Sequence, residues 1–316
     1  MKKKILITGG AGFIGFNLYK KLYKNNILYI LDYKREIKKK KFYKNCRFIY
    51  GDISNKKTFK KILAKKIIFD DIYHFAAETS TYLCENNPNK CFKSNVIGTW
   101  NLYNYCQILK PKNLIFSSSM AVYGKNAISP REKDKCKPIS NYGLSKLVCE
   151  KILSKLLELK INVKIFRIFN AYGIYQNYNN KFQGMLSIYL AQIVRSSKVH
   201  VTGSLKRARD FIYIEDILTA ITNKKIVKSK KNHIFNLGSG KKTYVFFLIN
   251  KLFKMSNKKK NIVKMKSHKG DSFVSYANNS LLKKLGWKNR ISLTVGIKKV
   301  IKDIKKFDEY NGNFNW

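Results

Sequence analysis

The sequence predicts an α/β fold, in which a doubly wound parallel sheet is joined to a smaller domain of mixed helices and strands. Up to about residue 170, short runs of Ile, Leu, Val and Phe alternate with stretches that have helical spacing. The apolar runs are continuous, which is typical of parallel strands buried on both faces of a sheet. The 316 residues, 45% of them apolar, are enough to bury a core of this size and a smaller second one.

The elements follow one another in the order such a fold requires. The first predicted strand is Lys4–Thr8, a helix follows from Phe13 to Tyr23, and the second strand is Ile27–Asp32. Four more strands are predicted at the segments CRFIYGD, DIYHFAA, NLIFSSS and VKIFRIF. Beyond residue 170, helices are predicted near 181–195, 215–223, 243–254 and 291–306, and short apolar runs lie at 199–202 and 233–237. We therefore expect one domain at 1–170 and a second region at 171–316, from which some segments return to the first sheet.

The first strand runs into a glycine-rich turn, TGGAGFIG, and then into a helix. In a strand–turn–helix unit the glycines have separate tasks: Gly9 allows the tight turn, Gly12 lets the backbone approach a pyrophosphate, and Gly15 packs helix against strand. The helix N-terminus at Phe13 and Ile14 offers free N–H groups and the positive end of the helix dipole to a phosphate. The pattern indicates a Rossmann-type dinucleotide-binding domain.

The second predicted strand ends in Asp32, at the position of a ribose-binding acid. Its carboxylate can accept hydrogen bonds from both ribose hydroxyls and repels a 2′-phosphate, so it favours NAD. Arg35 lies close by in the sequence and could bind that phosphate, which leaves NADP as the alternative cofactor.

A candidate proton-transfer pair lies on a predicted helix at Tyr142 and Lys146. The four-residue spacing places both side chains on one helix face. Tyrosine is a poor base near its ordinary pKa of about 10, but an adjacent ammonium and the charge of a nicotinamide favour the phenolate. Tyr142 can then exchange a proton with a hydroxyl while hydride moves between a carbon and the cofactor.

These residues resemble the signature of a known family. The segment YGLSK matches the YxxxK motif of short-chain dehydrogenases, and SSSMAVYG upstream resembles the SSxxVYG segment of their extended branch. The chain therefore resembles the NAD-dependent epimerase/dehydratase family, and further matching segments cover nearly all of it: GDI, HFAA, NVIGT, RIFNAYG, RDFIYIED, NLGSG and LGW. By this match Ser119 is the third catalytic residue, which hydrogen-bonds the reacting oxygen, whereas Ser117, Ser118 and His74 are structural.

The resemblance also implies binding residues. Those implied for the cofactor, besides the glycine loop, Tyr142 and Lys146, are Asp32, Asp52, Ile53, Phe75, Ala76, Ala77 and Asn95. Those implied for the nucleotide-sugar substrate are Ser119, Asn170, Arg209, His268, Asp271 and Ser275. Among them Arg209 is the best candidate for pairing with the diphosphate.

Departures from the family pattern bear on the reaction. Sugar 4,6-dehydratases carry Asp-Glu directly after the catalytic hydroxyl residue, and the family's sugar-acid decarboxylases usually place Glu where Ala121 stands. This sequence has Met120 and Ala121, so elimination of water lacks its acid and base. The remaining chemistry needs only Ser119, Tyr142 and NAD: oxidation at C4, rotation of the keto sugar, and reduction on its other face.

Two further departures bear on the substrate. His268 occupies the arginine position of the family's RxGD motif, which ends here in Asp271 and holds the nucleotide. Ser275 lies where a bulky Tyr, in similar 4-epimerases, limits the pocket to non-acetylated hexoses. A small residue admits N-acetylhexosamines.

The resemblance thus predicts an NAD-dependent UDP-hexose or UDP-N-acetylhexosamine 4-epimerase that supplies sugars for surface polysaccharide. The alternatives are a nucleotide-sugar 4-keto reductase or another NAD(P)-dependent enzyme of sugar nucleotides, including a different epimerase. An alternative outside enzymes is an NAD-binding scaffold or an RNA-binding relative, against which the intact catalytic set argues. Family usage also implies a homodimer formed through two helices of each subunit.

The net charge of +47 is the remaining feature to explain. The lysines are dispersed and accompany many Asn, Ile and Tyr residues, all with AT-rich codons, so we expect compositional bias and no nucleic-acid partner. No apolar run is long enough to span a membrane, so we expect no membrane partner. The six cysteines form no CxxC pair and no metal-ligand cluster, which indicates free thiols in a reducing cytoplasm and no metal.

Overall fold

The structure is a computed structural model that describes residues 2–43, 46–125, 128–182, 184–265 and 273–311. The chain divides into two compact units. The first unit consists of Met1–Val122, Pro138–Arg167 and Ile221–Phe235, and the second of Tyr123–Lys137, Ile168–Ala220 and Asn236–Trp316. We predicted one domain at 1–170 and a second region at 171–316. That division stays a prediction.

The strands of the described residues are β1 (Lys4–Thr8), β2 (Ile27–Asp32), β3 (Cys46–Tyr50), β4 (Asp71–His74), β5 (Asn113–Ser119), β6 (Asn162–Ile168), β7 (Asn170–Tyr172), β8 (Val199–Thr202), β9 (Ala208–Arg209), β10 (Phe211–Tyr213), β11 (Ile234–Leu237), β12 (Thr243–Tyr244) and β13 (Ile262–Met265). Of these, β1 to β6, β8 and β11 begin and end close to where the apolar runs place them, whereas β7, β9, β10, β12 and β13 were not predicted.

The α-helices of the described residues are α1 (Phe13–Leu22), α2 (Lys34–Lys38), α3 (Lys56–Ala64), α4 (Thr81–Asn86), α5 (Pro88–Phe92), α6 (Gly98–Leu109), α7 (Asn141–Ser154), α8 (Met185–Ser196), α9 (Ile214–Ile221), α10 (Lys224–Lys228), α11 (Val245–Ser256), α12 (Ser280–Lys284) and α13 (Leu293–Asn311). A π-helical turn, Lys93–Ile97, leads into α6, and 3₁₀ turns lie at Met120–Tyr123 and Lys155–Leu157.

The central sheet has the strand order β11-β6-β5-β4-β1-β2-β3. The pairs β1–β2, β1–β4, β2–β3 and β4–β5 are parallel. Since the chain builds outward from β1 to β3 and then resumes at β4 on the other side, the strand order reverses between β1 and β4. In open α/β sheets a ligand binds at such a switch point, beyond the carboxyl ends of the strands. The predicted Rossmann-type doubly wound fold is confirmed.

The last strand of this sheet comes from late in the chain. The N–H of Ile165 in β6 donates to the carbonyl oxygen of His233 at 2.7 Å, at the start of β11. Beside this pairing, the buried Lys164 donates to the carbonyl oxygens of Ser229, at 2.5 Å, and Asn232, at 2.9 Å. Burial lowers the pKa of Lys164 to about 8, and the two carbonyls satisfy its ammonium inside the fold.

The sheet core on the α3, α6 and α7 side is made of fully buried apolar side chains. Leu6 of β1 lies between Tyr29 of β2 and Ile72 of β4 in the sheet register, and all three are buried. Leu102 of α6 and Leu153 of α7 belong to the same cluster. Removing such a side chain from water stabilises the fold by about 1.5–3 kcal/mol, so this layer fixes the helices that carry the candidate site.

The second unit contains short strand pairs and packed helices. β7 pairs with β10 and β8 with β13 in parallel, and β9 pairs with β12 in antiparallel orientation. The helices α8, α11 and α13 pack against one another. The buried Asp210 ties three segments together, because its carboxylate accepts hydrogen bonds from the backbone N–H groups of Ser239 at 2.8 Å, Gly240 at 2.8 Å and Ala277 at 3.0 Å.

One expectation about the cysteines is corrected. Cys84 of α4 and Cys91 of α5 form a disulfide, although we expected free thiols throughout. The two short helices meet at Asn87, which caps the second of them, and this turn brings residues seven positions apart face to face with 5.1 Å between their Cα atoms. The sequence spacing carries no CxxC signal for such a pair. Cys46, Cys106, Cys136 and Cys149 are free thiols.

Within the described ranges, no helix is both long and apolar enough to cross a membrane. Over the same residues, no group of three or more His, Cys, Asp or Glu side chains is arranged to hold a metal ion.

Candidate active site

The glycine-rich turn lies at the carboxyl end of β1 and leads into α1. Gly9 has φ +67°, in the left-handed region that favours glycine, and its N–H donates to the carbonyl oxygen of Leu31 at 2.9 Å. The N–H of Gly12 turns back to the carbonyl oxygen of Gly9 at 3.0 Å. A side chain on Gly9 would place its Cβ 2.6 Å from the backbone nitrogen of Ala76, so the turn is pressed against the segment that follows β4.

The start of α1 has the features of an anion site. Gly12 caps the helix without a side-chain hydrogen bond, and its first turn holds no acidic residue. The N–H groups of Phe13, Ile14 and Gly15 have no carbonyl one turn earlier in the helix. A Cβ on Gly15 would collide with the carbonyl oxygen of Gly9 and lie 2.7 Å from Cα of Gly10. This side-chain-free backbone cradle at a helix N-terminus fits the pyrophosphate of a dinucleotide.

Asp32 lies beside this cradle, at the end of β2. Its carboxylate accepts hydrogen bonds from the N–H of Ala11 at 2.9 Å and from the N–H of Tyr33 at 2.8 Å. Burial raises the pKa of Asp32, and these two hydrogen bonds oppose the rise. Each carboxylate oxygen accepts one backbone donor and keeps a lone pair for a ribose hydroxyl. Arg35 pairs with Glu36 at the surface, at 3.4 Å.

We expect Asp32→Asn to weaken the choice of NAD over NADP by about tenfold or more, because it removes a repulsion between like charges worth several kcal/mol. An asparagine side-chain oxygen can still accept a loop hydrogen bond. The measurement is the ratio of dissociation constants for the two cofactors in apo protein. Asp70→Asn, at an exposed surface ion pair with Lys112, is the control and should leave the ratio unchanged. An unaltered ratio in Asp32→Asn would remove Asp32 from the ribose site.

Two of the residues implied for the cofactor, Asp52 and Ile53, lie after β3. Asp52 accepts a hydrogen bond from the N–H of Ser54 at 2.8 Å, so the turn is closed by its own side chain. Ile53 is buried, and its carbonyl oxygen accepts from Asn101 of α6 at 2.9 Å. A Cβ on Gly98 would lie 2.5 Å from Cδ1 of Ile53, so the start of α6 packs directly on this loop.

A buried chain of hydrogen bonds supports the segment after β4. Thr8 contacts Nδ1 of His74 at 2.7 Å, and Nε2 of His74 contacts Thr99 at 3.0 Å. Burial lowers the pKa of His74 to about 3, and the charge of Lys146 lowers it further, so this histidine is a neutral structural group. The N–H of Ala76 donates to Thr8 at 3.3 Å. The segment Phe75, Ala76 and Ala77 is half-buried, beside the glycine turn.

Asn95 is buried in the π-helical turn and has its side chain engaged by the protein. Its amide nitrogen donates to the carbonyl oxygen of Glu78 at 3.0 Å and to the hydroxyl of Ser145 at 2.9 Å. Its amide oxygen accepts from the N–H of Glu78 at 2.7 Å. These bonds fasten the loop after β4 to α7. A contact from Asn95 to the cofactor stays a prediction, because the described hydrogen bonds use both amide hydrogens.

The predicted catalytic residues come together between β5 and α7. Ser140 caps α7 by accepting a hydrogen bond from the N–H of Gly143 at 3.0 Å, which sets Tyr142 in the first turn. Ser119, the last residue of β5, has its hydroxyl beside the half-buried phenol of Tyr142. Burial raises the pKa of Tyr142 to about 12, and the Ser119 hydroxyl opposes the rise. The protein alone therefore holds Tyr142 as a phenol.

Lys146 lies one turn further along α7 and is buried. Its ammonium donates to the carbonyl oxygen of Ser117 at 2.9 Å and lies 6.0 Å from the ring centroid of Tyr142. Burial lowers the pKa of Lys146 to about 8, while Cys149 and Glu150 act in the opposite direction. This places a titratable cation on the same face of α7 as the phenol of Tyr142.

Glu150 and Arg167 are functional candidates that were not among the predicted site residues, although Arg167 begins the matching segment RIFNAYG. Glu150 follows Lys146 by one further turn of α7, and its carboxylate forms a buried ion pair with Arg167 of β6 at 2.7 Å. The hydroxyl of Ser118 donates to the same carboxylate at 2.5 Å. Continuing the four-residue spacing from Tyr142 through Lys146 would have pointed to Glu150.

Apart from Ser119, the described substrate candidates belong to the second unit. The side chain of Asn170 donates to the carbonyl oxygen of Asp210 at 3.0 Å. Arg209 is buried and donates to the carbonyl oxygen of Ala208 at 2.9 Å. Burial lowers the pKa of Arg209 to about 10, and the charge of Arg207 adds to the effect. Clustered arginine charge of this kind favours an anionic ligand.

Ser275 lies on the segment beside β9. It is fully buried, its N–H donates to the carbonyl oxygen of Ala208 at 3.1 Å, and its hydroxyl has no hydrogen-bond partner within the described part of the chain. His268 and Asp271, the other two predicted contacts, lie outside the described residues.

Comparison with known proteins agrees with the fold and the motifs. A model of the NAD dependent epimerase/dehydratase family matches residues 5–238. A protein of Methanocaldococcus jannaschii with the provisional name UDP-glucose 4-epimerase is 31% identical over 305 residues, which are 95% of this chain and 98% of that protein. The dTDP-4-dehydro-6-deoxyglucose reductase of Escherichia coli is 30% identical over 318 residues, covering 96% of this chain and 98% of that one.

A solved structure extends the comparison. The UDP-N-acetylglucosamine 4-epimerase of Methanobrevibacter ruminantium M1, in complex with UDP-N-acetylmuramic acid, resembles this chain with a TM-score of 0.88 at 26% identity. The match covers 98% of this chain and 100% of that structure.

Proposed function

Because the chain belongs to the NAD-dependent epimerase/dehydratase family, we propose that this NAD-dependent enzyme inverts a UDP-linked sugar at C4. The observation that carries the proposal is the placement of Ser119, Tyr142 and Lys146 between β5 and α7. The glycine cradle and Asp32 would hold the cofactor. Relatives with 4-epimerase names over nearly the full length of the chain support the reaction type.

The side chains have separate tasks in this reaction. Tyr142 takes the proton of the C4 hydroxyl as the sugar is oxidised, and returns a proton to the same oxygen when the keto sugar is reduced. Ser119 donates a hydrogen bond to that oxygen and keeps it within reach of the phenol. Lys146 supplies positive charge that favours the phenolate. NAD, when bound, accepts and returns the hydride.

The surroundings of Ser119 argue against elimination of water. The N–H of Ala121 donates to the Ser119 hydroxyl at 3.2 Å, and neither Met120 nor Ala121 carries an ionisable group. A 4,6-dehydratase needs an acid and a base at these two positions. The site therefore supports oxidation and reduction at a single sugar carbon, in which a proton and a hydride are removed and returned.

The test is incubation of the purified protein with a panel of nucleotide sugars, with product stereochemistry read by NMR. An epimerase converts substrate to its C4 epimer without added cofactor and without net consumption of NAD(P)H. The second candidate is a 4-keto reductase, which the similarity to the Escherichia coli reductase favours. Stoichiometric consumption of NAD(P)H with a 4-keto sugar, and no epimerisation, would select that candidate.

We further propose that the sugar pocket admits N-acetylhexosamines. Support comes from the small, buried Ser275 and from the similarity to a UDP-N-acetylglucosamine 4-epimerase. The arginine charge at Arg209 is the proposed contact for the diphosphate, together with the predicted His268 and Asp271. Asn170 is the proposed contact to the sugar.

Ser275→Tyr is expected to reduce kcat/KM for UDP-N-acetylglucosamine by at least tenfold relative to UDP-glucose, because the added ring excludes the acetamido group by a steric clash. The position is fully buried, so overpacking lowers stability by about 1–3 kcal/mol. The ratio of the two constants is therefore the measurement, since a loss of folded protein lowers both alike. Ser275→Ala is the control and should keep the wild-type ratio. An equal ratio in all three proteins would remove Ser275 from the pocket.

A homodimer is the proposed assembly. α6 and α7 pack together and expose large apolar side chains: Trp100 is 46% exposed, Ile108 62% and Leu144 42%. Apolar surface of this kind on neighbouring helices is typical of a contact with a second copy of the chain.

Trp100→Asp is expected to halve the molar mass measured by light scattering, because it would bury a charge in the contact. Ile68→Asp, at an apolar position that is 60% exposed, is the control and should keep the wild-type mass. A mass of one chain in the wild-type protein would contradict the proposed dimer.

The cytoplasm is the proposed location and surface polysaccharide the proposed destination of the product. Four of the six cysteines are free thiols, as is usual in that compartment, and the Cys84–Cys91 disulfide is the exception. We also propose that no nucleic acid is a partner. Any affinity for RNA or DNA should be weak and should fall steeply as the salt concentration rises.

A further inference from the structure

Three consecutive residues at the end of β5 each hold one residue of α7. The carbonyl oxygen of Ser117 accepts from Lys146 at 2.9 Å, the hydroxyl of Ser118 donates to Glu150 at 2.5 Å, and the hydroxyl of Ser119 lies beside the phenol of Tyr142. The helix residues are 142, 146 and 150, so they recur at four-residue intervals along one face. The strand end and the helix thus meet in three linked contacts.

The carboxylate of Glu150 also forms a buried ion pair with Arg167. The side chains of Glu150 and Arg167 are 3% and 4% exposed. Arg167 donates to the Glu150 carboxylate through Nη2 at 2.7 Å and through Nε at 3.0 Å. Two parallel hydrogen bonds between a guanidinium and a carboxylate fix the relative orientation of the two side chains as well as the distance between them. Because Arg167 lies on β6, it attaches the middle of α7 to a second strand of the sheet.

Resting on the proposed function, we propose that the Glu150–Arg167 pair positions the catalytic helix: it sets how far α7 sits above β5, and so keeps Lys146 and Tyr142 in register with Ser119. Neither residue of the pair contacts the reacting atoms in this role. The pair acts through Lys146, one helical turn away. A buried ion pair often adds little to stability compared with apolar residues, and its best-attested use is to fix a single arrangement.

The charges around Lys146 give the pair a second effect. On α7 the neighbours of its ammonium are Cys149 and Glu150, and both favour the charged form. On β4 the neutral His74 lies near it, and on β5 the Phe116 ring lies 4.8 Å from Nζ. Around the pair itself, His233 is influenced by both Glu150 and Arg167. Loss of the Glu150 carboxylate therefore removes one of the two groups that favour the ammonium of Lys146.

The test compares three variants as full-length holoenzymes. Glu150→Gln/Arg167→Met removes both charges together, so no buried charge is left without a partner. Arg167→Lys keeps the charge. Arg195→Met/Asp308→Asn removes a matched ion pair of the second unit, whose side chains are 6% and 11% exposed.

In Glu150→Gln/Arg167→Met we expect kcat to fall about tenfold with KM nearly unchanged, since displaced catalytic groups cost rate and leave substrate binding intact. The alkaline limb of the pH–rate profile should move down by about one pH unit, because Lys146 loses its ammonium at lower pH. Arg167→Lys should keep the wild-type profile. Arg195→Met/Asp308→Asn should lose thermal stability without moving the profile.

Hydrogen exchange supplies a readout that needs no turnover. Amides of α7 should exchange at least tenfold faster in Glu150→Gln/Arg167→Met than in the wild type, and at the wild-type rate in Arg195→Met/Asp308→Asn. Wild-type exchange in α7, or a profile shift shared by both double variants, would overturn the proposal. If the wild type epimerises no sugar but α7 is loosened as expected, the proposed function fails and the positioning role stands.

Discussion

Tyr142→Phe is expected to lower the rate of epimerisation by about 10²–10⁴-fold, the usual cost of removing a positioned acid–base group. The variant keeps the aromatic ring of Tyr142 and removes only its hydroxyl, beside which Ser119 lies. NAD should stay bound, because the glycine cradle and Asp32 are untouched. The measurement is kcat with the best substrate of the panel, together with the NAD content of the denatured protein.

Tyr244→Phe is the matched control. This tyrosine is 38% exposed at the start of α11 and lies under the ammonium of Lys242 at 4.7 Å. The same chemical change there should leave the rate within a factor of two. A Tyr142→Phe protein with the wild-type rate would eliminate the phenol as proton carrier and, with it, the mechanism proposed here.

Gly15→Ala is expected to abolish retention of NAD through purification and to reduce stability by about 1–3 kcal/mol, the usual cost of overpacking. A Cβ at this position meets backbone atoms, the carbonyl oxygen of Gly9 and Cα of Gly10, and backbone gives way less readily than the end of a side chain. Relief requires that the turn move away from α1, which opens the cradle. The measurements are cofactor content by absorbance of the denatured protein and the unfolding midpoint.

Gly296→Ala is the control that separates the loss of NAD from the loss of stability. A Cβ at Gly296 in α13 would lie 2.8 Å from Cε2 of the buried Tyr172, so this variant is also overpacked, in the second unit. It should unfold at a lower temperature and still retain NAD. Full retention of NAD by Gly15→Ala would show that the turn tolerates a methyl group and that the cradle was misassigned.

Much of the first unit could be predicted because its strands are buried on both faces. Ile5 to Ile7 and Leu28 to Leu31 are almost without exposure, and such burial leaves a continuous apolar run in the sequence. The strands at Lys4–Thr8 and Ile27–Asp32 therefore begin and end where predicted. The glycine turn and the Tyr142–Lys146 spacing were visible for the same reason: their geometry is local in the chain.

What escaped prediction depends on contacts between distant segments. Glu150 reads as an ordinary helix residue until Arg167 of β6 is placed beside it. Cys84 and Cys91 meet because a capped turn folds two short helices together, and nothing in their spacing distinguishes them. The run at 233–237 indicated a strand, but its neighbour β6 could be known only from the assembled sheet. Hydrophobic periodicity identifies an element and carries no information about its partner.

The late strand β11 also sets an order of events during synthesis. Until residues 229–237 leave the ribosome, β6 is the edge of the nascent sheet, with its outer backbone groups unpaired. An exposed edge strand is a template for pairing with other chains. Over that interval Lys164 also lacks the carbonyl oxygens of Ser229 and Asn232, so its ammonium stays in water and places a charge on the open edge. Charged side chains, lysine above all, oppose pairing at an exposed edge strand, so Lys164 would oppose it at β6 until β11 is in place.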